Sequence, residues 1–226
     1  STPEFIDDAE GLVKKMAKFS AKKIGKMMHL SKDLSDLNHQ RYQDWKTDVI
    51  SNENNAHVVA AFNGEAYRGF DAESLTTDQL DIAQDKVRIL SGIYGLLKPL
   101  DIIYPYRLEM GTKWVVTPSK TNLYKFWGTK LADSLNAENK DGIIINVASN
   151  EYFKAVDKTA LGGRVVTPIF KDFKKSEIFP KFPRFPCIIR ISLKTRVARE
   201  HPHTTIIIVD NCPPSRYQVS SLKNLE

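Results

Sequence analysis

The stretch from Ser91 to Trp114 gathers the residue types best suited to chemistry. Its sequence is Ser-Gly-Ile-Tyr-Gly-Leu-Leu-Lys-Pro-Leu-Asp-Ile-Ile-Tyr-Pro-Tyr-Arg-Leu-Glu-Met-Gly-Thr-Lys-Trp. Ser91, Gly92 and Gly95 put a hydroxyl and turn N–H groups just past an apolar run, where ligands of α/β sheets collect. Tyr94, Tyr104 and Tyr106 offer flat rings for a base or sugar, and Lys98, Arg107 and Lys113 offer donors to phosphate. Glu109 is a candidate general acid or base, as is Glu151 further on, where Asn150 adds a polar amide. The same residues also read as ordinary structure. The glycines then serve a tight turn, the tyrosines fill the core, Arg107 and Glu109 form an ion pair, and Glu151 complements a helix dipole. Spacing alone leaves both readings open.

The elements that must position these groups alternate between helix and strand. Phe5, Ala9, Leu12, Met16 and Phe19 recur at helical spacing behind Pro3 and an acidic first turn. Ser20 and Ser31 are candidate caps of two further helices, the second with Leu34, Leu37, Arg41 and Trp45 on one face. Lys14, Lys18, Lys22 and Lys26 make a stripe that fits a solvated face, with Ser20 breaking it. His57 to Phe62 reads as a strand before Asn63-Gly64. Thr77 caps a helix to about Asp85, and Val87 to Leu90 form a buried strand running into Ser91-Gly92. Thr121 or Asn122 caps a helix containing Leu123, Phe126, Trp127 and Leu131. Ile143 to Ile145 form a fully buried strand, Ser149 or Asn150 caps the next helix, and Val165-Val166 begins another strand. This order predicts an α/β fold: a mixed sheet covered by helices in one compact domain, with a helical first third.

Composition narrows the class. The 226 residues have 42% hydrophobic and 27% charged content, ordinary for a globular chain. Residues 174–226 carry 10 Lys+Arg against 4 Asp+Glu, which is the whole formal excess of +6. They also hold six of the 11 prolines. The division predicted is a neutral domain over 1–173 and a basic, irregular, Pro-rich tail over 174–226, with Val197 to Val209 as one last candidate strand. Phe179 to Pro186 reads as an extended arm or loop. Cys187 and Cys212 form no CxxC pair, which points to a reducing compartment. No apolar run reaches the ~20 residues of a membrane span, and Ser1 to Phe5 lack the marks of a signal peptide. A cytoplasmic location and no membrane are expected. The five histidines form no HExxH, and Walker A, GxGxxG, GxSxG and zinc-finger spacings are absent, so no cofactor and no metal are expected.

Five blocks carry a family resemblance: Ala61 to Phe70, Ile89 to Lys113, Asn122 to Gly128, Asn146 to Phe153 and Thr167 to Asp172. In this order they resemble the YaaA family, also known as an uncharacterised protein family and described as peroxide stress proteins. The resemblance implies an α/β unit with a positively lined cleft, a helix-hairpin-helix-like element and binding to duplex or distorted DNA. It further implies a role in limiting iron-driven peroxide damage. The chain begins after the family's opening strand and Ser-Pro-Ala-Lys segment. Past Asp172 only Ile191 to Arg199 faintly echoes the family. On the residues themselves two functions stand side by side. One is DNA binding, with the turn Gly92-Ile-Tyr-Gly95 offering N–H groups to phosphate. The other is an enzyme acting on a nucleotide, nucleoside or nucleic-acid base in a pocket around Tyr94, Arg107, Glu109 and Glu151.

Overall fold

The computed structural model describes residues 1–46, 56–61, 71–139, 142–168, 171–174, 177–180 and 204–209. Three helices open the chain: α1 (Ile6–Met16), α2 (Ala21–Met28) and α3 (Lys32–Gln43). Pro3 lies before α1 rather than in its first turn, and Phe5 is the cap residue. Ser20 and Ser31 cap α2 and α3 as expected, each accepting from the backbone N–H three residues on, which satisfies a donor that the helix itself cannot. Ala9, Leu12 and Met16 of α1 are fully buried. Phe5 meets Trp127 edge-on at 5.7 Å and Phe19 meets Trp114 at 6.3 Å, so the first helix is pinned at both ends by aromatic pairs. The lysine stripe is interrupted at Ser20, and Lys14 is paired with Glu10 at 3.0 Å.

Helix α3 corrects the expected apolar face. Its inward residues are Ser35, Asn38 and Tyr42, while Leu37 is 41% exposed. The inward side chains satisfy their own polar groups. Ser35 Oγ donates to the Ser31 carbonyl and Asn38 Nδ2 to the Leu34 carbonyl, both at 2.7 Å. Tyr42 O–H reaches the Arg107 carbonyl at 2.5 Å. Polar groups bonded in this way can be buried at little cost, so Ser35, Asn38 and Tyr42 turn inward beside the half-buried Leu34, Arg41 and Trp45, and of the expected face Leu37 turns outward.

The expected strand from His57 is likewise cut short. Strand β1 is Ala56–His57, paired antiparallel with β4 (Ile102–Ile103), and a short helix α4 (Val58–Ala61) comes directly after it. The Asn63-Gly64 turn lies outside the described residues. A short 3-10 turn (Ala72–Ser74) leads to helix α5 (Thr77–Lys86). Its cap is Thr76, one residue earlier than expected, in a reciprocal box with Gln79. Thr76→Ala is expected to cost about 1 kcal/mol and lower the thermal midpoint by about 2–4 °C. A melt unchanged from wild type would mean the box contributes nothing.

The main sheet has five strands in the order β3-β2-β9-β5-β6. They are β2 (Val87–Ser91), β3 (Gly95–Leu97), β5 (Ile143–Asn146), β6 (Arg164–Val166) and β9 (Thr204–Val209). The β2–β3 pair is antiparallel and the other three pairings are parallel, so the sheet is mixed as expected. Between β3 and β6 the chain supplies helices α6 (Leu123–Trp127), α7 (Lys130–Asn139) and α8 (Asn150–Phe153), with Asn122 capping α6 and Ser149 capping α8. Helix α5 packs on β2 and β9, and α8 packs on β2. Ile143 is 39% exposed and Ile144 1%, so β5 is enclosed by its two neighbouring strands without being fully buried.

Two strands, β7 (Lys171–Lys174) and β8 (Glu177–Pro180), form an antiparallel pair. Strand β9 comes from the segment read as an irregular tail, yet it lies between β2 and β5 at the centre of the sheet, with Ile206 and Ile207 buried. The main sheet therefore draws its central strand from beyond residue 173. The remainder of 181–226, with both cysteines, lies outside the described residues.

Candidate functional site

The glycine turn after β2 is an interior device. It joins two antiparallel strands, with Ser91 opposite Gly95, so at this point the element is a strand hairpin and not a helix hairpin. Ser91 is fully buried, its hydroxyl hydrogen-bonded to the Tyr106 hydroxyl and accepting from the Tyr94 backbone N–H at 3.0 Å. Tyr104 N–H donates to the Tyr94 hydroxyl at 2.8 Å. Tyr94, Tyr104 and Tyr106 are 0%, 3% and 1% exposed. Burial pushes the Tyr94 phenol well above its ordinary value, which keeps it neutral. Gly95 packs on the Trp127 ring, and Trp127 Nε1 donates to the Gly92 carbonyl at 3.3 Å. These rings and amides are consumed by the core. Ser91, Gly92, Tyr94 and Gly95 are all buried, so in this structure none of them faces solvent where a base or a phosphate would stand.

The charged candidates are split. Arg107 donates through Nη2 to Glu109 at 2.8 Å; its side chain is 14% exposed while that of Glu109 is half exposed. Glu109 thus closes over Arg107 as the ion-pair reading expected. Lys113 is exposed between the buried Thr112 and Trp114. Lys98 belongs elsewhere. It meets Glu138 at 2.9 Å in a cleft of about 390 Å³ that also holds Arg88, whose Nε reaches Glu138 at 2.7 Å. Arg88 was missed by sequence reasoning, although a lone arginine inside the apolar run Val87-Arg-Ile-Leu is the signal that would have found it.

Helix α8 collects the rest. Glu151 Oε1 accepts from the Gly111 N–H at 2.8 Å, which docks the turn after Glu109 against the start of α8. Asn150 is exposed and lines an open cleft of about 530 Å³ with Tyr124, Phe153, Lys154, Asp157 and Lys158 among its walls. Lys154 Nζ stands 5.1 Å from the centre of the Tyr124 ring, and Lys158 Nζ 5.2 Å from that of Phe153. Burial and then the Glu151 charge raise the Tyr124 phenol, so it stays protonated at neutral pH. Lys154, Lys158 and Tyr124 were not picked out in the sequence; the two lysines four apart just after Asn150-Glu-Tyr-Phe were the available hint. Tyr94, Arg107, Glu109 and Glu151 do not line this cleft.

Among the described residues no group of three or more His, Cys, Asp or Glu is arranged to hold a metal ion, and no helix is long and apolar enough to cross a membrane.

Comparison with known proteins places this geometry in a family. The family model described as "Peroxide stress protein YaaA" matches residues 1–181. A UPF0246 protein of Burkholderia thailandensis is 48% identical over 178 residues, covering 76% of this chain and 67% of the relative. A UPF0246 protein of Shewanella oneidensis is 46% identical over 178 residues, covering 77% and 68%. Matches of this extent and identity settle descent, and the chain belongs to the peroxide stress protein YaaA family.

Proposed function

We propose that this peroxide stress family member binds DNA, and that its contact surface is the lysine-rimmed cleft at α8. One observation carries the reading: Lys154 and Lys158 stand over the Tyr124 and Phe153 rings along one open cleft that the exposed Asn150 also lines. Lysines are strong point-charge partners for phosphate, and the half-buried Tyr124 ring suits an unstacked base or a sugar, while Phe153, 2% exposed, backs the cleft from the core. Such contacts position a protein on nucleic acid without reading sequence. Asp157 sits in the same wall and limits how much anionic surface the cleft takes. A protective role against iron-driven oxidation and a cytoplasmic location go with this reading, the protein acting on the DNA and not as an iron store.

An enzyme centred on Tyr94, Arg107, Glu109 and Glu151 finds less support. Tyr94 is core, Glu109 is spent on Arg107, and Glu151 holds the Gly111 N–H.

Titration of duplex and single-stranded oligonucleotides at several salt concentrations tests the proposal. Affinity should fall with salt, with a log–log slope of about −0.9 per phosphate neutralised on duplex. In Lys154→Gln/Lys158→Gln the slope should shrink in magnitude by about 2. An unchanged slope in the double variant moves the interface away from α8, and binding indifferent to salt ends the DNA reading.

A further inference from the structure

Three buried hydrogen-bond donors beside the 104–107 segment are stranded. Arg107 Nε, Arg107 Nη1 and the indole Nε1 of Trp45 are shielded from solvent and have no acceptor among the described residues. Native interiors hold few such groups, because each forfeits its hydration with nothing in return, and a charged one forfeits most. All three are donors, and two belong to one cation. What the arrangement lacks is an acceptor with negative charge.

Hydrogen bonds and ring contacts link the end of α3, where Trp45 stands, to the 104–107 segment that carries Arg107. Tyr42, in the last turn of α3, bonds through its hydroxyl to the Arg107 carbonyl, and Trp45 stands just beyond the helix end. The Trp45 ring packs against Tyr94 at 5.3 Å and Tyr104 at 5.9 Å, so it lies on the aromatic wall from which Arg107 continues. Among the described residues the guanidinium meets Glu109, and spends only Nη2 on it.

We infer that Arg107 and Trp45 form a recognition site for a small oxyanion, a carboxylate or a phosphate monoester, distinct from the lysine cleft of α8. Small size follows from shielding: a polymer backbone does not reach nitrogens already closed off from solvent. Glu109 is the resident competitor. Being half exposed, it can swing outward, and an incoming anion then takes over the guanidinium while accepting from the indole. Glu109 thereby acts as a cover over the site. The anchoring residues are Arg107 and Trp45; Tyr42 positions the Arg107 backbone.

The test uses the whole chain and three probes, inorganic phosphate, glycerol phosphate and succinate, against chloride at equal ionic strength. Binding is read by thermal shift and by tryptophan fluorescence. At least one probe should raise the midpoint saturably, and the ranking separates phosphate from carboxylate sources. Trp45→Phe keeps the ring and removes the donor, and should weaken binding by about tenfold. Arg107→Gln should abolish it. Glu109→Gln should strengthen it, because the competing carboxylate is gone. That opposite sign is what a purely structural Arg107–Glu109 pair would not give, and it decides the matter even if Arg107→Gln fails to fold. The inference is overturned if no probe acts beyond chloride, or if Trp45→Phe and Glu109→Gln bind as wild type does. It is equally overturned if Lys154→Gln/Lys158→Gln loses the effect, which would put the anion in the α8 cleft. Failure of DNA binding in the separate titration leaves it standing.

Discussion

Gly92→Ala is expected to destabilise the protein by about 3 kcal/mol and lower its thermal midpoint by about 6–12 °C. A Cβ at this position would stand 2.2 Å from the Leu108 carbonyl oxygen and 3.1 Å from its carbon, both backbone atoms. No flexible side-chain end can turn away to make room. The Gly92 carbonyl is held from the opposite direction by the Trp127 indole. The added methyl must therefore push the 106–109 segment off the hairpin, and with it Arg107 and the buried contact between Ser91 and Tyr106. Gly11 is the internal control. Nothing lies within 4 Å of a Cβ there, and in mid-helix Gly11→Ala should gain about 0.5–1 kcal/mol. Denaturant unfolding of the two variants measures both. A Gly92→Ala midpoint equal to wild type would show that the hairpin and the Leu108 backbone are not in contact.

That clash also explains what was legible in the sequence. Signals that act within a few residues were mostly read correctly, with Thr76 in place of Thr77 as the cap of α5 the nearest miss. Ser20, Ser31 and Ser149 cap helices because a side-chain oxygen finds an N–H three residues on, and neither partner needs the rest of the fold. Val87 to Leu90 and Ile143 to Ile145 read as strands, each one residue short of the observed end, because branched apolar runs have few other homes. Facts that depend on distant segments were not legible. The inward face of α3 carries Ser35, Asn38 and Tyr42 because the Arg107 carbonyl, 65 residues away, is there to meet the tyrosine. Thr204 to Val209 shows only strand propensity locally, and its place between β2 and β5 is a product of parallel pairing across more than 50 residues. The Ser91 to Trp114 stretch was singled out rightly as unusual, but its tyrosines are dense because a tight hairpin needs rings with hydroxyls to satisfy its own backbone. Lys154, Lys158 and Tyr124 escaped notice because lysine and tyrosine are common, and only the fold sets them around one cleft. The family was legible because it rests on identity across five blocks and on no single site.

The second large effect sits at the far cleft, where Glu138 meets Arg88 and Lys98. Glu138→Ala is expected to cost about 3 kcal/mol, again about 6–12 °C, because it strands a cation that is already out of water. The Arg88 side chain is 5% exposed; its Nη1 is satisfied by the Gln84 and Val87 carbonyls, but Nε and the charge rely on Glu138. Burial pushes the Glu138 carboxyl up, yet the hydrogen bonds and charges of Arg88 and Lys98 outweigh it and hold the group below its ordinary value of 4.5. A depressed carboxylate stabilises the fold fully above its unfolded value and loses that contribution as pH falls through the lower folded one. The gap between wild type and Glu138→Ala should therefore be widest near neutral pH and close as pH falls through and below the ordinary carboxylate range. Lys98 supplies the contrast. Its side chain is 38% exposed and meets the same carboxylate, so Lys98→Met should cost under about 1 kcal/mol. Exposure alone separates the two cations, since both lie within 3 Å of the one glutamate. Equal losses from Lys98→Met and Glu138→Ala would mean that Arg88 is not buried with its partner, and the cleft would have to be rebuilt around a solvated ion cluster.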